Sequence, residues 1–216
     1  MSQSPSETDT AAQASTIQGY YRLHAKIYDL TRWTFLFGRN RIIRLAEEHC
    51  QPKRILEVGC GTGRNLRALA RTFPKARIAG LDVSGEMLRV ARKSLAALAR
   101  PVELIRRPYD EPVAKGRPFD LILFSYALSM FNPGWEAAIE CAREDLSDDG
   151  QIAVVDFHDT RFSAFRRWMG FNHVRMEGHL LGKLREQFLP REVSIKRAYG
   201  GLWRYMLFVG SKRPSQ

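Results

Sequence analysis

The segment Glu57-Val-Gly59-Cys-Gly61-Thr-Gly63 sets an acid and three glycines at alternate positions, directly after the apolar run Ile55–Val58. Glycines there let the backbone turn tightly and approach a ligand without side-chain interference. Asp82 follows Gly63 by 19 residues and closes the next apolar run, Ala76–Val83. An acid at the neighbouring strand tip can accept hydrogen bonds from both hydroxyls of a ribose. The dinucleotide fingerprint, Gly-x-Gly-x-x-Gly, differs in spacing and has no leading acid. Turn glycines without a ligand would not need a strand before them, a helix after them and the acid at the next strand end.

The elements that must hold these residues are legible in the apolar periodicity. Ile55–Val58 reads as a strand and Arg64–Phe73 as a helix with Leu66, Leu69, Ala70 and Phe73 on one face. Ala76–Val83 is a second strand. Ser84 can cap the next helix, whose inward stripe is Met87, Ala91, Leu95 and Leu98. Val102–Ile105 and Phe119–Ser125 read as strands, about Gly134–Asp145 as a helix, and Gln151–Phe157 as a fifth strand. Strands alternating with helices predict an α/β, Rossmann-like, doubly wound and mostly parallel sheet. Val193–Arg197 and Trp203–Val209, separated by Gly200-Gly201, read as a terminal hairpin.

The chain of 216 residues suits one domain. Residues 1–16, rich in Ser, Thr, Gln and Ala, are expected to form a disordered tail. Residues 17–216 are expected to form the domain: a helical lid over 17–53, then a core over 54–216 with a helical insertion at 160–190. The longest largely apolar run, Leu121–Phe131, is well short of the ~20 residues that span a bilayer. The polar opening carries no signal-peptide pattern. Three scattered cysteines, Cys50, Cys60 and Cys141, exclude a disulfide framework and a cysteine zinc site, so a cytoplasmic protein is expected. The net charge of +11 is uneven. Residues 55–159 are nearly neutral, whereas 17–54 carry 8 basic against 3 acidic residues and 160–216 carry 12 against 3. Basic flanks around a neutral centre suggest an anionic partner.

From about Tyr20 to Val209 the chain resembles the class I S-adenosylmethionine-dependent methyltransferases. The resemblance implies a seven-stranded sheet with an antiparallel C-terminal strand and S-adenosylmethionine as cofactor, leaving S-adenosylhomocysteine. It implies that Glu57, Gly59, Gly61 and Gly63 form the loop under the methionine part and that Asp82 holds the ribose. Met87 would flank the adenine, with Cys60, Val83 and Ser125 also against the cofactor. The acid for the adenine amino group falls after the third strand, where strict register gives Pro108 or Tyr109 and a shift gives Asp110.

Methyl transfer from a sulfonium is an in-line displacement, so positioning and water exclusion dominate. Methyltransferases of nucleic-acid amino groups resemble one another in an Asn/Asp-Pro-Pro-Tyr/Phe motif. Ser125-Tyr-Ala-Leu-Ser-Met130 stands there instead, so no nucleic-acid partner is expected. Tyr20–Asp29 resembles the leading helix of lipid and quinone methyltransferases. Leu30–Arg39, Trp168–Met176 and Gly178–Leu181 look most like bacterial betaine-lipid enzymes, which methylate the amine of diacylglyceryl-homoserine. Phosphatidylethanolamine N-methyltransferases share the architecture, and a small-molecule or quinone methyltransferase is a further alternative. A non-catalytic basic scaffold is argued against by the intact Glu57, glycines and Asp82.

A homoserine headgroup needs a cation for its carboxylate and aromatic faces for its ammonium. Arg175 is the candidate cation, with Arg32 and Arg39 behind it. Tyr28, Trp33 and Trp168 are candidates for the aromatic wall, and Asn172 and His173 for further acceptor contacts. His158 could take the amine proton with Asp159 orienting it; His173, Tyr28 or a water are the other choices. No His-x-x-x-His pair points to a metal. The basic flanks, interleaved with Trp33, Phe35, Leu36, Phe37, Phe162, Phe165, Trp168 and Phe171, have the composition of a face that rests on an anionic membrane. A lipid substrate and peripheral attachment to the inner face of the membrane are the corresponding expectations. Leu30–Phe37 could insert there or form a lid over the cofactor.

Overall fold

The structure is a computed structural model that describes residues 36–171 and 173–213. From Gly38 onward the chain forms one compact unit around a seven-stranded sheet. Its elements are α1 (Arg39–His49), β1 (Arg54–Val58), α2 (Arg64–Thr72), β2 (Arg77–Asp82), α3 (Gly85–Leu95), β3 (Glu103–Arg106) and β4 (Phe119–Ser125). After them come α4 (Trp135–Asp145), β5 (Leu146–Asp159), α5 (Ser163–Phe171), α6 (His179–Gln187), β6 (Phe188–Ala198) and β7 (Trp203–Lys212).

The sheet order is β3-β2-β1-β4-β5-β7-β6. β1 pairs with β2 and β4, β2 with β3, and β4 with β5, all parallel; β7 runs antiparallel to both β5 and β6. The strand order reverses between β1 and β4, and such a switch opens a crevice at the carboxyl ends of the strands. The expected architecture, with its reversed C-terminal strand, is the one observed.

Alternation along the central strands fills both faces. Leu56, Ile122, Phe124, Ile152 and Val154 share one apolar cluster with Ala138, Ile139 and Ala142 of α4 and Leu180, Leu181 and Leu184 of α6. Ile55 and Leu121, one residue out of step, are buried on the other face. α1 buries Ile42, Ile43, Leu45 and Ala46 and packs on α2, β5 and β7, so within the stretch expected as a lid Arg39–His49 is part of the packed body.

Several boundaries differ from expectation. β5 begins at Leu146, directly after α4, because Leu146 pairs with Phe119 before an irregularity brings Gln151 opposite Leu121. β6 is longer than the expected Val193–Arg197, since its first residues pair with the far end of β7. In α3 the buried residues are Leu88, Ala91 and Leu95. Met87 is half-buried on the neighbouring face. No helix among the described residues is long and apolar enough to cross a membrane.

Candidate active site

β1 delivers the glycine loop to the crevice, and the loop is tied to the end of β2. The amides of Gly59 and Cys60 both donate to the Leu81 carbonyl, at 2.8 and 3.0 Å. Gly59, Gly61 and Gly63 have φ of 70°, 54° and 78°, a left-handed backbone that favours glycine. A Cβ on Gly59 would meet the Ala127 Cβ at 2.7 Å, and one on Gly63 the Ala91 Cβ at 3.1 Å. A Cβ on Gly61 would meet nothing within 4 Å. The outer two glycines therefore allow close packing, and the middle one leaves its Cβ direction open.

Asp82 fastens this arrangement. Its Oδ2 accepts the Gly61 amide at 2.8 Å, and its Oδ1 accepts the Ser84 amide at 2.9 Å. The Ser84 hydroxyl in turn accepts the Met87 amide at 3.2 Å, the expected cap of α3. Each carboxylate oxygen keeps acceptor capacity for a further donor.

Glu57 lies beneath the loop with 1% of its surface exposed. Asn65 Nδ2 donates to its Oε1 at 2.8 Å, whereas Oε2 makes no hydrogen bond among the described residues. Burial pushes its pKa up to about 8, against the Asn65 hydrogen bond and the positive charge of Arg39. Arg39, expected behind the acceptor carboxylate, thus acts electrostatically on the glycine-loop acid. An orphaned buried carboxylate oxygen, a Cβ-free opening at Gly61 and the double-ended Asp82 fit the ammonium, sulfonium-bearing chain and ribose of S-adenosylmethionine.

A cavity of about 330 Å³ adjoins the loop, with Gly59, Asp82, Val83, Tyr109, Asp110 and Asn132 among its walls. Val83 is 62% exposed and offers an apolar surface. The alternatives after β3 separate here. Pro108, Tyr109 and Asp110 all reach the cavity. Tyr109 is buried and donates its hydroxyl to Asp145 Oδ2 at 2.9 Å, so it serves as wall. Asp110 is exposed at the rim with Arg107 3.8 Å away, and its carboxylate can receive an adenine amino group. Ser125, at the tip of β4, is buried and its hydroxyl makes no hydrogen bond among the described residues. Cys60 is buried, which raises its thiol pKa and leaves it inert.

Sequence reading missed the wall formed by Met130–Gly134, where a short 3-10 turn (Leu128–Met130) leads into Asn132-Pro133-Gly134. The Asn-Pro-Gly triplet was the available signal, as turn chemistry at the carboxyl end of a strand.

The acceptor candidates are less gathered. A groove of about 530 Å³ contains His173 and Arg175 and shares Asn132, Pro133 and Gly134 with the cofactor cavity. Arg175 is already engaged, donating from Nε to Glu177 Oε2 at 2.7 Å. Trp168 is 50% exposed on α5, packs near Phe165 and lines neither cavity. His158 stands at the end of β5, and burial lowers its pKa. The expected orientation of His158 by Asp159 is corrected. Asp159 accepts Arg204 Nε at 2.6 Å and a second, shorter contact from its Nη2, while His158 Nε2 is 4.0 Å away. His158 Nδ1 is buried without a hydrogen bond among the described residues. Tyr28, Arg32, Trp33 and Asn172 lie outside the described residues. Among the described residues no cluster of three or more His, Cys, Asp or Glu side chains could hold a metal ion.

Comparison with known proteins agrees with this geometry. Residues 55–150 match the family described as a methyltransferase domain. The malonyl-[acyl-carrier protein] O-methyltransferase of Halalkalibacterium halodurans is 31% identical over 155 residues, 68% of this chain and 56% of that protein. The demethylmenaquinone methyltransferase of Thermotoga maritima is 30% identical over 137 residues, 61% of this chain and 57% of that protein. The chain therefore spans little more than half the length of these two relatives. The N-methyltransferase NodS from Bradyrhizobium japonicum, solved with S-adenosylhomocysteine, superposes with a TM-score of 0.68 at 18% identity, covering 82% of this chain and 86% of that one. A 1,6-didemethyltoxoflavin-N1-methyltransferase from Burkholderia thailandensis, solved with its substrate and S-adenosylhomocysteine, gives 0.67 at 17% identity over 99% and 94%. The fold is the class I S-adenosylmethionine-dependent methyltransferase fold, and the glycine loop falls within the matched domain.

Proposed function

We propose that the chain is an S-adenosylmethionine-dependent methyltransferase acting on the amine of a lipid headgroup, with diacylglyceryl-homoserine as acceptor and the trimethylated betaine lipid as product. The observation that carries methyl transfer is the coupling of Glu57, the glycine loop and Asp82 at the switch point of the sheet. The bound cofactor supplies an electrophilic methyl group on a sulfonium. Asp82 accepts the ribose hydroxyls, Asp110 the adenine amino group, and the free Glu57 oxygen the methionine ammonium. Val83 and Met87 flank the adenine, and Cys60 and Ser125 close the wall around the loop.

The acceptor lies in the groove beyond Asn132. There Arg175 meets the headgroup carboxylate by exchanging its Glu177 contact, with His173 in the same groove. Tyr28 and Trp33, outside the described residues, stay the candidates for the aromatic wall, since Trp168 lines neither cavity. His158 takes the amine proton; its depressed pKa keeps the imidazole neutral and able to accept. The lipid reading is supported by the Leu30–Arg39, Trp168–Met176 and Gly178–Leu181 resemblances and by the exposed Phe162, Trp168 and Phe171 beside basic residues, a face for peripheral attachment to an anionic membrane.

A second reading, a small-molecule or quinone methyltransferase, is favoured by the name of one relative, which specifies demethylmenaquinone. Mass spectrometry of lipids from a heterologous host, with and without a homoserine-lipid source, tests the two. New mono-, di- and trimethylated homoserine lipids support the first reading. Methylated phosphatidylethanolamine alone transfers the assignment to that lipid. No methylated lipid, together with turnover of a water-soluble or quinone acceptor without detergent, supports the second.

A further inference from the structure

Apart from the cofactor cavity, a larger one of about 570 Å³ opens where the end of β5 meets the turn between β6 and β7. Arg161, Arg166, Arg197 and Arg204 line it, against two acids, Asp159 and Glu177. Both acids are already engaged, Asp159 by Arg204 and Glu177 by Arg175. Arg166 donates to the Thr160 carbonyl at 2.6 Å, which positions its guanidinium without neutralising it. Arg161 lies over the Phe162 ring at 5.1 Å. Among the described residues neither Arg161, Arg166 nor Arg197 has a carboxylate within ion-pair distance. Four guanidinium groups thus face two carboxylates in one concave space, which leaves positive charge in excess, with Arg166 also acting electrostatically on both acids. A concave site with an excess of one sign of charge focuses its field and raises the local concentration of the opposite ion. Gly200 and Gly201, at φ of 66° and 101°, leave bare backbone on the remaining wall.

We propose that this cavity is a phosphate-binding site. A carboxylate would neutralise only part of this excess, whereas a phosphate offers up to two charges and several acceptor oxygens in the geometry that guanidinium forks match. The cavity shares Arg166, Met176 and Glu177 with the groove assigned to the acceptor, which reaches the cofactor cavity through Asn132–Gly134. A phosphate held here sits at the far end of that groove, as part of a phospholipid beside the acceptor or of a soluble phosphate ester. The site itself does not require the methyl-transfer reading.

Calorimetry at fixed ionic strength, with S-adenosylhomocysteine present, tests it with two probes. Glycerol 3-phosphate stands for a soluble phosphate monoester, and dibutyryl phosphatidylglycerol for a lipid phosphodiester. Saturable binding of either is expected, and the probe that binds names the source. Arg161→Gln and Arg197→Gln should each weaken it roughly ten-fold, as loss of a charge-assisted hydrogen bond implies. Arg71→Gln, an exposed position on α2 outside the cavity, should leave it unchanged. S-adenosylhomocysteine titration of every variant confirms the fold and tests the cofactor reading separately. Absence of saturable binding by both probes overturns the proposal, as does equal weakening by Arg71→Gln.

Discussion

Asp82 accepts the Gly61 amide at 2.8 Å, so the acid expected to hold a ribose also holds the loop on which the rest of the cofactor would lie. Removing it therefore has two effects. Asp82→Ala should weaken S-adenosylmethionine binding by about 1.5–3 kcal/mol, the cost of losing hydrogen bonds to a charged group. Asp82→Asn, which retains one acceptor oxygen, should fall between. Gly61→Val should abolish binding, because φ of 54° strains a branched residue and its side chain would enter the space left open at that position. Equilibrium titration of the three variants gives the order directly.

Glu57 makes stability and cofactor binding depend on pH. Its pKa is about 8 in the fold against 4.5 as the ordinary value. Between these values the folded chain holds a proton that the unfolded chain has released. Folding stability from this group is therefore undiminished below pH 4.5 and falls as pH rises towards about 8, where it levels off. Glu57→Gln should flatten that slope in denaturant titrations. An ammonium brought beside Glu57 favours its carboxylate, so S-adenosylmethionine binding at neutral pH should release a proton. Titrations in two buffers of different ionisation enthalpy should detect that proton for the wild type and none for Glu57→Gln.

The separation of His158 from Asp159 divides their roles. If His158 takes the acceptor proton, His158→Gln should lower kcat by roughly 10²–10⁴-fold with cofactor affinity unchanged. Asp159→Asn breaks the pair with Arg204 and should lower the melting temperature while leaving the acidic limb of the pH–rate profile in place. A shift of that limb on Asp159→Asn would restore the orienting role.

α5 offers an exposed basic and aromatic face. Phe162, Trp168 and Phe171 are 41%, 50% and 77% exposed. Sedimentation with liposomes should rise with anionic lipid and fall as salt approaches ~0.5 M. Arg167→Glu combined with Phe171→Ser should weaken it without changing cofactor affinity. Arg166 is unsuited to this test, since it is bonded to Thr160 and lines the arginine cavity. Equal sedimentation with neutral and anionic vesicles would contradict electrostatic docking.

The sheet and the cofactor side of the site were legible because they rest on local rules. Alternating apolar strands, three glycines at alternate positions and Asp82 at a strand tip each carry their own signal in a few residues. The start of β5 at Leu146 was not legible, since it depends on pairing with Phe119 rather than on periodicity. The acceptor side was harder still, because its contacts are long-range. Nothing near Asp159 announces that Arg204, 45 residues later, will take its carboxylate. The gathering of Arg161, Arg166, Arg197 and Arg204 around one cavity likewise follows from the β6–β7 hairpin folding back against β5. Counted along the chain, they read only as a basic flank.

The central claim is that Glu57, the glycine loop and Asp82 together hold S-adenosylmethionine. The most direct measurement is a calorimetric titration of the full chain with S-adenosylmethionine and S-adenosylhomocysteine, repeated on Asp82→Ala. One saturable site for both ligands is expected, with S-adenosylhomocysteine bound at least as tightly and clear weakening in the variant. Absence of binding to the wild type, or equal binding by Asp82→Ala, would contradict it.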